Sequence, residues 1–242
     1  PRPTRAQFKP LAWATLGNCI GFPVLLGFAL RHVPSGHAAV FTALLPLTTA
    51  AMAAWVLHQR ARLGFWLFAG LGASLVVGFA VIRATQHAQG FALEWADLAL
   101  IGAIISAAIG YVYGAQITPT LGAERVICWV CVLALPVTVP GTLLTWPDTP
   151  APVSAWLALL YVGVFSMWAG FFAWYRGLAI GGALKVSQVQ LVQPFISILA
   201  AVPLLGEPLE TMTLGFTLAV VATVFAGKRF AAGSPSPRAA LT

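Results

Sequence analysis

Eight apolar stretches follow one another along this chain, near residues 10–30, 35–57, 63–82, 96–117, 126–146, 153–175, 186–205 and 211–227, with short connections between them. Each approaches the roughly twenty residues that a helix needs to cross a hydrocarbon core about 30 Å thick. The runs are too long for strands and lack strict alternation, and only helices or closed barrels satisfy their backbone in lipid. Composition agrees: 60% of the 242 residues are hydrophobic and 8% are charged, where a soluble domain carries about 25% charged residues. So few charges cannot clothe a water-exposed surface. The expectation is an all-α membrane protein with about eight transmembrane helices. Its longest connections, near 83–95 and 146–153, leave no room for a soluble catalytic domain, and residues 231–242, with Ser234-Pro235-Ser236-Pro237, read as a disordered cytoplasmic tail.

A net charge of +7 could elsewhere suggest nucleic acid. Here the cations sit between the apolar stretches and at the chain ends, which makes them topology signals and argues for no nucleic-acid partner. With the N-terminus in the cytoplasm and eight crossings, one side holds Arg2, Arg5, Lys9, Arg60, Arg62, Arg125, Arg176, Lys185, Lys228, Arg229 and Arg238, and the other only Arg31 and Arg83. This segregation follows the positive-inside rule. It predicts a multi-pass protein of a bacterial inner membrane with both termini cytoplasmic. The basic lead Pro1 to Lys9 precedes a stretch with no small-residue cleavage site, so that stretch reads as a retained helix. The first residue is Pro rather than Met, from which an earlier natural start is expected.

The chain also repeats itself weakly. Ser35 to Pro46 aligns on Ala183 to Pro194, an offset of 148 residues (183 − 35). Each proline has a polar residue four positions before it (Thr42, Gln190) and another three after it (Thr49, Ser197), spacings that share one helix face. In the topology above, the two aligned helices run in opposite directions, the plan of inverted-repeat secondary transporters.

One stretch runs Phe171-Phe172-Ala173-Trp174-Tyr175-Arg176-Gly177-Leu178, Gly181-Gly182-Ala183, Gln193-Pro194-Phe195 and Leu204-Leu205-Gly206-Glu207. It resembles the EamA-like family of the drug/metabolite transporter superfamily: an aromatic helix ending in a small residue and Leu, a Gly-Ala turn, a helix with a central Pro and a closing Gly-Glu. The first copy echoes it with Gly27-Phe28-Ala29-Leu30, Pro34-Ser35-Gly36, Pro46 and Leu57, but has His58-Gln59-Arg60 where the second has Gly206-Glu207-Pro208. The resemblance implies inverted five-helix repeats, ten helices in all, of which eight are seen. Residues 1–90 would then be the last three helices of a first repeat whose first two are absent, and 91–230 a complete second repeat. It further implies export of a metabolite, amino acid or drug-like molecule by alternating access, not enzymatic activity. The other reading is a non-transporting membrane scaffold or sensor, or an inactive truncated transporter. The implied partners are a small-molecule substrate and the lipid bilayer, with a homodimer left open.

Polar groups at membrane depth cost free energy unless paired, which makes them functional candidates. Gln190 and Gln193 flank Pro194, which lacks an N–H, so the carbonyl of Gln190 is expected to lose its partner. An amide, a free carbonyl and a kink would then lie together at the depth where transporters bind substrates. The competing reading is amides bonding a neighbouring helix, worth about 1 kcal/mol or less each. The expected substrate-binding residues are Gln190, Gln193, Ser197, Tyr111, Asn18 and Trp168, with Pro46 and Pro194 as hinges. Asn18 serves equally as a helix–helix contact or a cavity donor. Thr42 and Thr49, which can bond their own backbone, read as kinking residues, and Trp174 and Tyr175, beside Arg176, as an interfacial belt. The stripes Gly102, Ser106, Gly110, Gly114 and Gly70, Ser74, Gly78 read as close-packing surfaces. Cys19, Cys128 and Cys131 read as buried thiols, with no metal site, and no cofactor is implied. No Asp, Glu or Lys lies at mid-span, so a proton carrier would have to be His37 or lie elsewhere.

Overall fold

The computed structural model describes residues 2–33, 38, 41–86, 95–147, 150–193, 195–196 and 211–230, and no strand occurs among them. Helix lies in every one of the eight apolar stretches. The elements are α1 (Arg5–Ala29), α2 (Leu45–Val56), α3 (Leu63–Gln86), α4 (Asp97–Leu121), α5 (Ala123–Leu144), α6 (Val153–Gly181), α7 (Ala183–Val186), which continues as a 3₁₀ stretch Ser187–Val192, and α8 (Thr211–Phe230). By length and apolarity α1, α4, α5 and α6 can each cross a membrane; α2 and the apolar parts of α3 and α8 are shorter.

Glycine makes two of the corners. Gly122 between α4 and α5, and Gly182 between α6 and α7, have φ of 89° and 82° with ψ of 140° and 130°. Side chains exclude that region, so a single glycine turns the chain from one helix straight into the next.

Contacts between helix ends sort the elements into two ends of one bundle. At one end Gln7 Nε2 donates to Thr120 Oγ1 (3.0 Å), Leu184 N–H to Gln59 Oε1 (3.0 Å) and Arg62 N–H to the Phe230 carbonyl (3.3 Å), and Arg176 lies 4.0 Å from Glu124. At the other, Trp95 packs on Phe28 and His32, with centroids 5.7 and 4.6 Å apart. The first end carries Lys9, Arg60, Arg62, Arg125, Arg176, Lys185 and Arg229 and is called the basic end below. Under the offset of 148, Arg5 and Leu63, where α1 and α3 begin, fall on Val153 and Thr211, where α6 and α8 begin. The members of each such pair run in opposite directions. α1 and α3 leave the basic end where α6 and α8 arrive at it; α2 arrives where α7 leaves.

The same offset relates two distortions. α1 widens into a π-helix over Leu16–Gly21, with Phe22 N–H donating to the Gly17 carbonyl five residues back. α6 does so over Val162–Ala169, with Gly170 N–H reaching Phe165 O. In α1 the cause lies in the sequence: Pro23 has no N–H, and its ring would strike the carbonyl one turn earlier. α2 is preceded by a broken turn at Ala43–Leu44, ahead of Pro46 in its first turn.

Close backbone approach holds α1 on α4. A Cβ on Gly17 would run into the backbone of Ser106 and Gly110, and one on Gly21 into the Ser106 side chain. The stripe Gly102, Ser106, Gly110, Gly114 is thus a packing surface. The stripe Gly70, Ser74, Gly78 is not one among the described residues: a Cβ on Gly70 or Gly78 meets none of them within 4 Å, and Ser74 is exposed. α3 instead meets α8 through Gly64, against Phe230, and Gly72, against Thr223 and Leu191. Small residues at regular spacing mark a face able to pack, and the neighbouring helix selects which face does. The thiols also differ from expectation: Cys128 is exposed, and Cys19 and Cys131 are half-buried, all three free.

Gly17→Ala should therefore lower stability in detergent by about 1–3 kcal/mol, the usual range for overpacking, because backbone rather than side chain stands in the way. Gly102→Ala, whose Cβ would meet only the flexible Leu25 Cδ1 at 3.1 Å, should unfold near the wild-type temperature. Thermal unfolding of both purified variants checks the contrast.

Candidate substrate site

Tyr111, halfway along α4, is the centre of a mixed aromatic and polar cluster. Its ring lies 5.9 Å from Phe171 and 5.4 Å from Trp174, both on α6. The side chain of Gln190, on the 3₁₀ stretch, lies near its hydroxyl. Leu45 and Met52 of α2 join Tyr111 in one apolar cluster, and Thr49, fully buried, sits between them on α2. Four segments therefore converge on one tyrosine.

Three buried polar atoms in this cluster have no hydrogen-bond partner among the described residues: Thr49 Oγ1, Trp174 Nε1 and Gln190 Oε1. An orphaned polar atom costs about 1–3 kcal/mol, more where no water reaches it. The set comprises a hydroxyl, an N–H donor and a carbonyl acceptor facing aromatic rings. No charged side chain is among them. It suits a small ligand that both donates and accepts hydrogen bonds and has no net charge.

The structure brings together Tyr111 and Gln190 of the expected site residues and adds Thr49. Gln193 is exposed at the end of the 3₁₀ stretch, and Pro194 and Ser197 lie outside the described residues. The carbonyl of Gln190 is not free: Gln193 N–H donates to it, because the 3₁₀ pattern moves each acceptor one residue closer. Gln188, which was not expected, is 5% exposed and its Nε2 donates to the Pro46 carbonyl at 3.2 Å. Helical spacing was the signal, since Gln188 lies four residues after Leu184 and three before Leu191, both buried on the same face.

Asn18 and Trp168 lie away from this cluster. Asn18 Nδ2, in the π-turn of α1, donates to Tyr175 Oη at 2.7 Å, and that hydroxyl donates to the Gly110 carbonyl at 3.2 Å. A side-chain relay thus ties α1, α6 and α4 together. Tyr175 is fully buried rather than part of an interfacial belt, and only Gly114 beneath its ring leaves it room. Trp174 is half-buried on the same helix, turned to Tyr111. Trp168 is 42% exposed; its Nε1–H reaches Cys128 Sγ at 3.4 Å on α5.

The sequence profile of the EamA-like transporter family matches residues 94–226, more than half of the chain. A Bacillus subtilis protein named as the uncharacterised transporter YdeK is 39% identical over 231 residues, covering 95% of this chain and 79% of its own length. A Streptantibioticus cattleyicolor protein named as a probable terminal-alkyne amino-acid exporter is 25% identical over 238 residues, covering 94% of this chain and 76% of its own. One solved crystal structure matches with a TM-score of 0.77 and 19% identity, over 91% of this chain and 76% of the other; it is similar in fold.

Tyr175→Phe removes the acceptor of Asn18 and the donor to Gly110 together. It should lower stability by about 1–2 kcal/mol, the range of buried hydrogen bonds in membrane proteins. Trp168→Phe, which loses one exposed N–H···S contact, should unfold like wild type. Thermal melts in detergent separate the two.

Proposed function

The chain belongs to the EamA-like transporter family and is a multi-pass membrane protein; from that premise we propose that it exports a small zwitterionic molecule of the amino-acid class by alternating access. The observation that carries this reading is the set of orphaned polar atoms around Tyr111. The ammonium of the substrate meets Gln190 Oε1 and the faces of Tyr111 and Trp174, whose quadrupoles attract a cation. The carboxylate accepts from Trp174 Nε1–H and the Thr49 hydroxyl. A zwitterion brings its own countercharge, so a site without ions can hold it at a depth where a lone charge costs several kcal/mol. The relative named as an amino-acid exporter supports the same class.

In this reading residues 1–90 and 91–230 are inverted repeats that rock about the site. The opposite directions of the helices paired by the offset of 148, and their paired π-turns, support it. The break before Pro46, and Pro194 at the corresponding position, serve as hinges. The basic end faces the cytoplasm of a bacterial inner membrane.

Reconstituted liposomes test the reading with labelled neutral amino acids beside an organic cation and an organic anion of similar size. Wild type should move the zwitterions alone, and Gln190→Leu should cut that flux about tenfold, the equivalent of 1.4 kcal/mol. Movement of either singly charged compound in preference, or equal flux in Gln190→Leu, overturns it.

A further inference from the structure

A second polar feature lies outside the Tyr111 cluster. Near the basic end a cleft of about 250 Å³, counting its open mouth, runs between α3, α7 with its 3₁₀ stretch, and α8. Phe65 and Phe68 supply apolar walls, and Lys185, Gln188 and Thr223 supply the polar groups. Gln188 is nineteen-twentieths buried, and its Nε2 is committed to the Pro46 carbonyl and Ser187 Oγ. Its Oε1 is left with no partner among the described residues, the Lys185 ammonium included. The Thr223 hydroxyl donates its proton to the Val220 carbonyl at 2.7 Å, so toward the cleft it can only accept. Lys185 has no carboxylate partner among the described residues. The cleft thus offers one cation and two acceptors between phenylalanine walls.

We propose that this cleft binds an anionic phospholipid with a hydroxylated headgroup, of the phosphatidylglycerol type. The lipid phosphate pairs with Lys185, a headgroup hydroxyl donates to Gln188 Oε1, and the glycerol and upper acyl chain lie on the half-buried Phe68. Basic pockets between helices at the cytoplasmic surface suit such headgroups. A choline headgroup fails because its trimethylammonium has no proton to give Gln188 Oε1. The lipid also contacts the residue that ties α7 to α2 through Pro46, the two segments on either side of the proposed substrate site.

The test uses the full chain in detergent and native mass spectrometry of bound lipid, with matched acyl chains. Phosphatidylglycerol should bind at least about fivefold tighter than phosphatidylcholine, the effect of roughly one surface cation. Phosphatidylmethanol, anionic but without a hydroxyl, should fall between them. Lys185→Gln should abolish the preference, while Lys9→Gln, at an exposed cation of the same end, should keep it. The proposal is overturned if Lys185→Gln keeps the preference or Lys9→Gln loses as much. Equal binding of phosphatidylglycerol and phosphatidylmethanol, or displacement of the lipid by inorganic phosphate at millimolar concentration, overturns it too. None of these readouts depends on transport.

Discussion

Two helices that touch backbone to backbone hold this bundle together. Apolar side chains gain nothing by leaving lipid for one another, so helices in a membrane associate through close packing and shared hydrogen bonds. α1 and α4 use both. Gly17 and Gly21 admit the backbone and side chain of Ser106 and the backbone of Gly110. At the point of closest approach Asn18 turns to Tyr175, which bonds the Gly110 carbonyl. The relay needs each of its parts: with a side chain on Gly110 the Asn18 amide would have no room, and with one on Gly114 the Tyr175 ring would have none. α6, otherwise the helix most exposed to its surroundings, is anchored to the bundle here.

Departures from the regular α-helix are where polar atoms become available. The π-turn of α1 carries Asn18, and the 3₁₀ stretch carries Gln190 and Gln188, which donates to the Pro46 carbonyl. A regular helix uses its own carbonyls and spreads side chains every 100°. A wider or tighter turn shifts both the hydrogen-bond register and the faces. The Tyr111 cluster and the cleft beside Lys185 share this one irregular strip, with Gln190 near Tyr111 and Gln188 lining the cleft with Lys185.

Expectation and structure part at identifiable residues. Gln190 and Tyr111 stand out in the sequence as an amide and a phenol in long apolar runs, and the structure places them beside each other. Thr49 was visible only as a residue that kinks its own helix, and the structure instead leaves its hydroxyl buried without a partner among the described residues. Tyr175 beside Arg176 has the pattern of an interfacial aromatic, yet it is fully buried, because α6 crosses α4 where Gly114 leaves space for the ring. The stripe through Gly70, Ser74 and Gly78 has the same spacing as the one in α4, yet a Cβ on Gly70 or Gly78 meets none of the described residues within 4 Å.

Sequence alone determined what depends on solvent and on distance along the chain. The apolar runs set the helices, Gly122 and Gly182 turn the chain from one helix into the next, and the cations fall between the runs and at the chain ends. These follow from the cost of exposing polar backbone and charge to lipid, a cost each segment bears by itself. Tertiary structure decided which of two equivalent faces each helix buries, which tyrosine lies at the centre and which glutamine faces which cleft. Those choices depend on the partner across the interface, and no segment encodes its partner's shape.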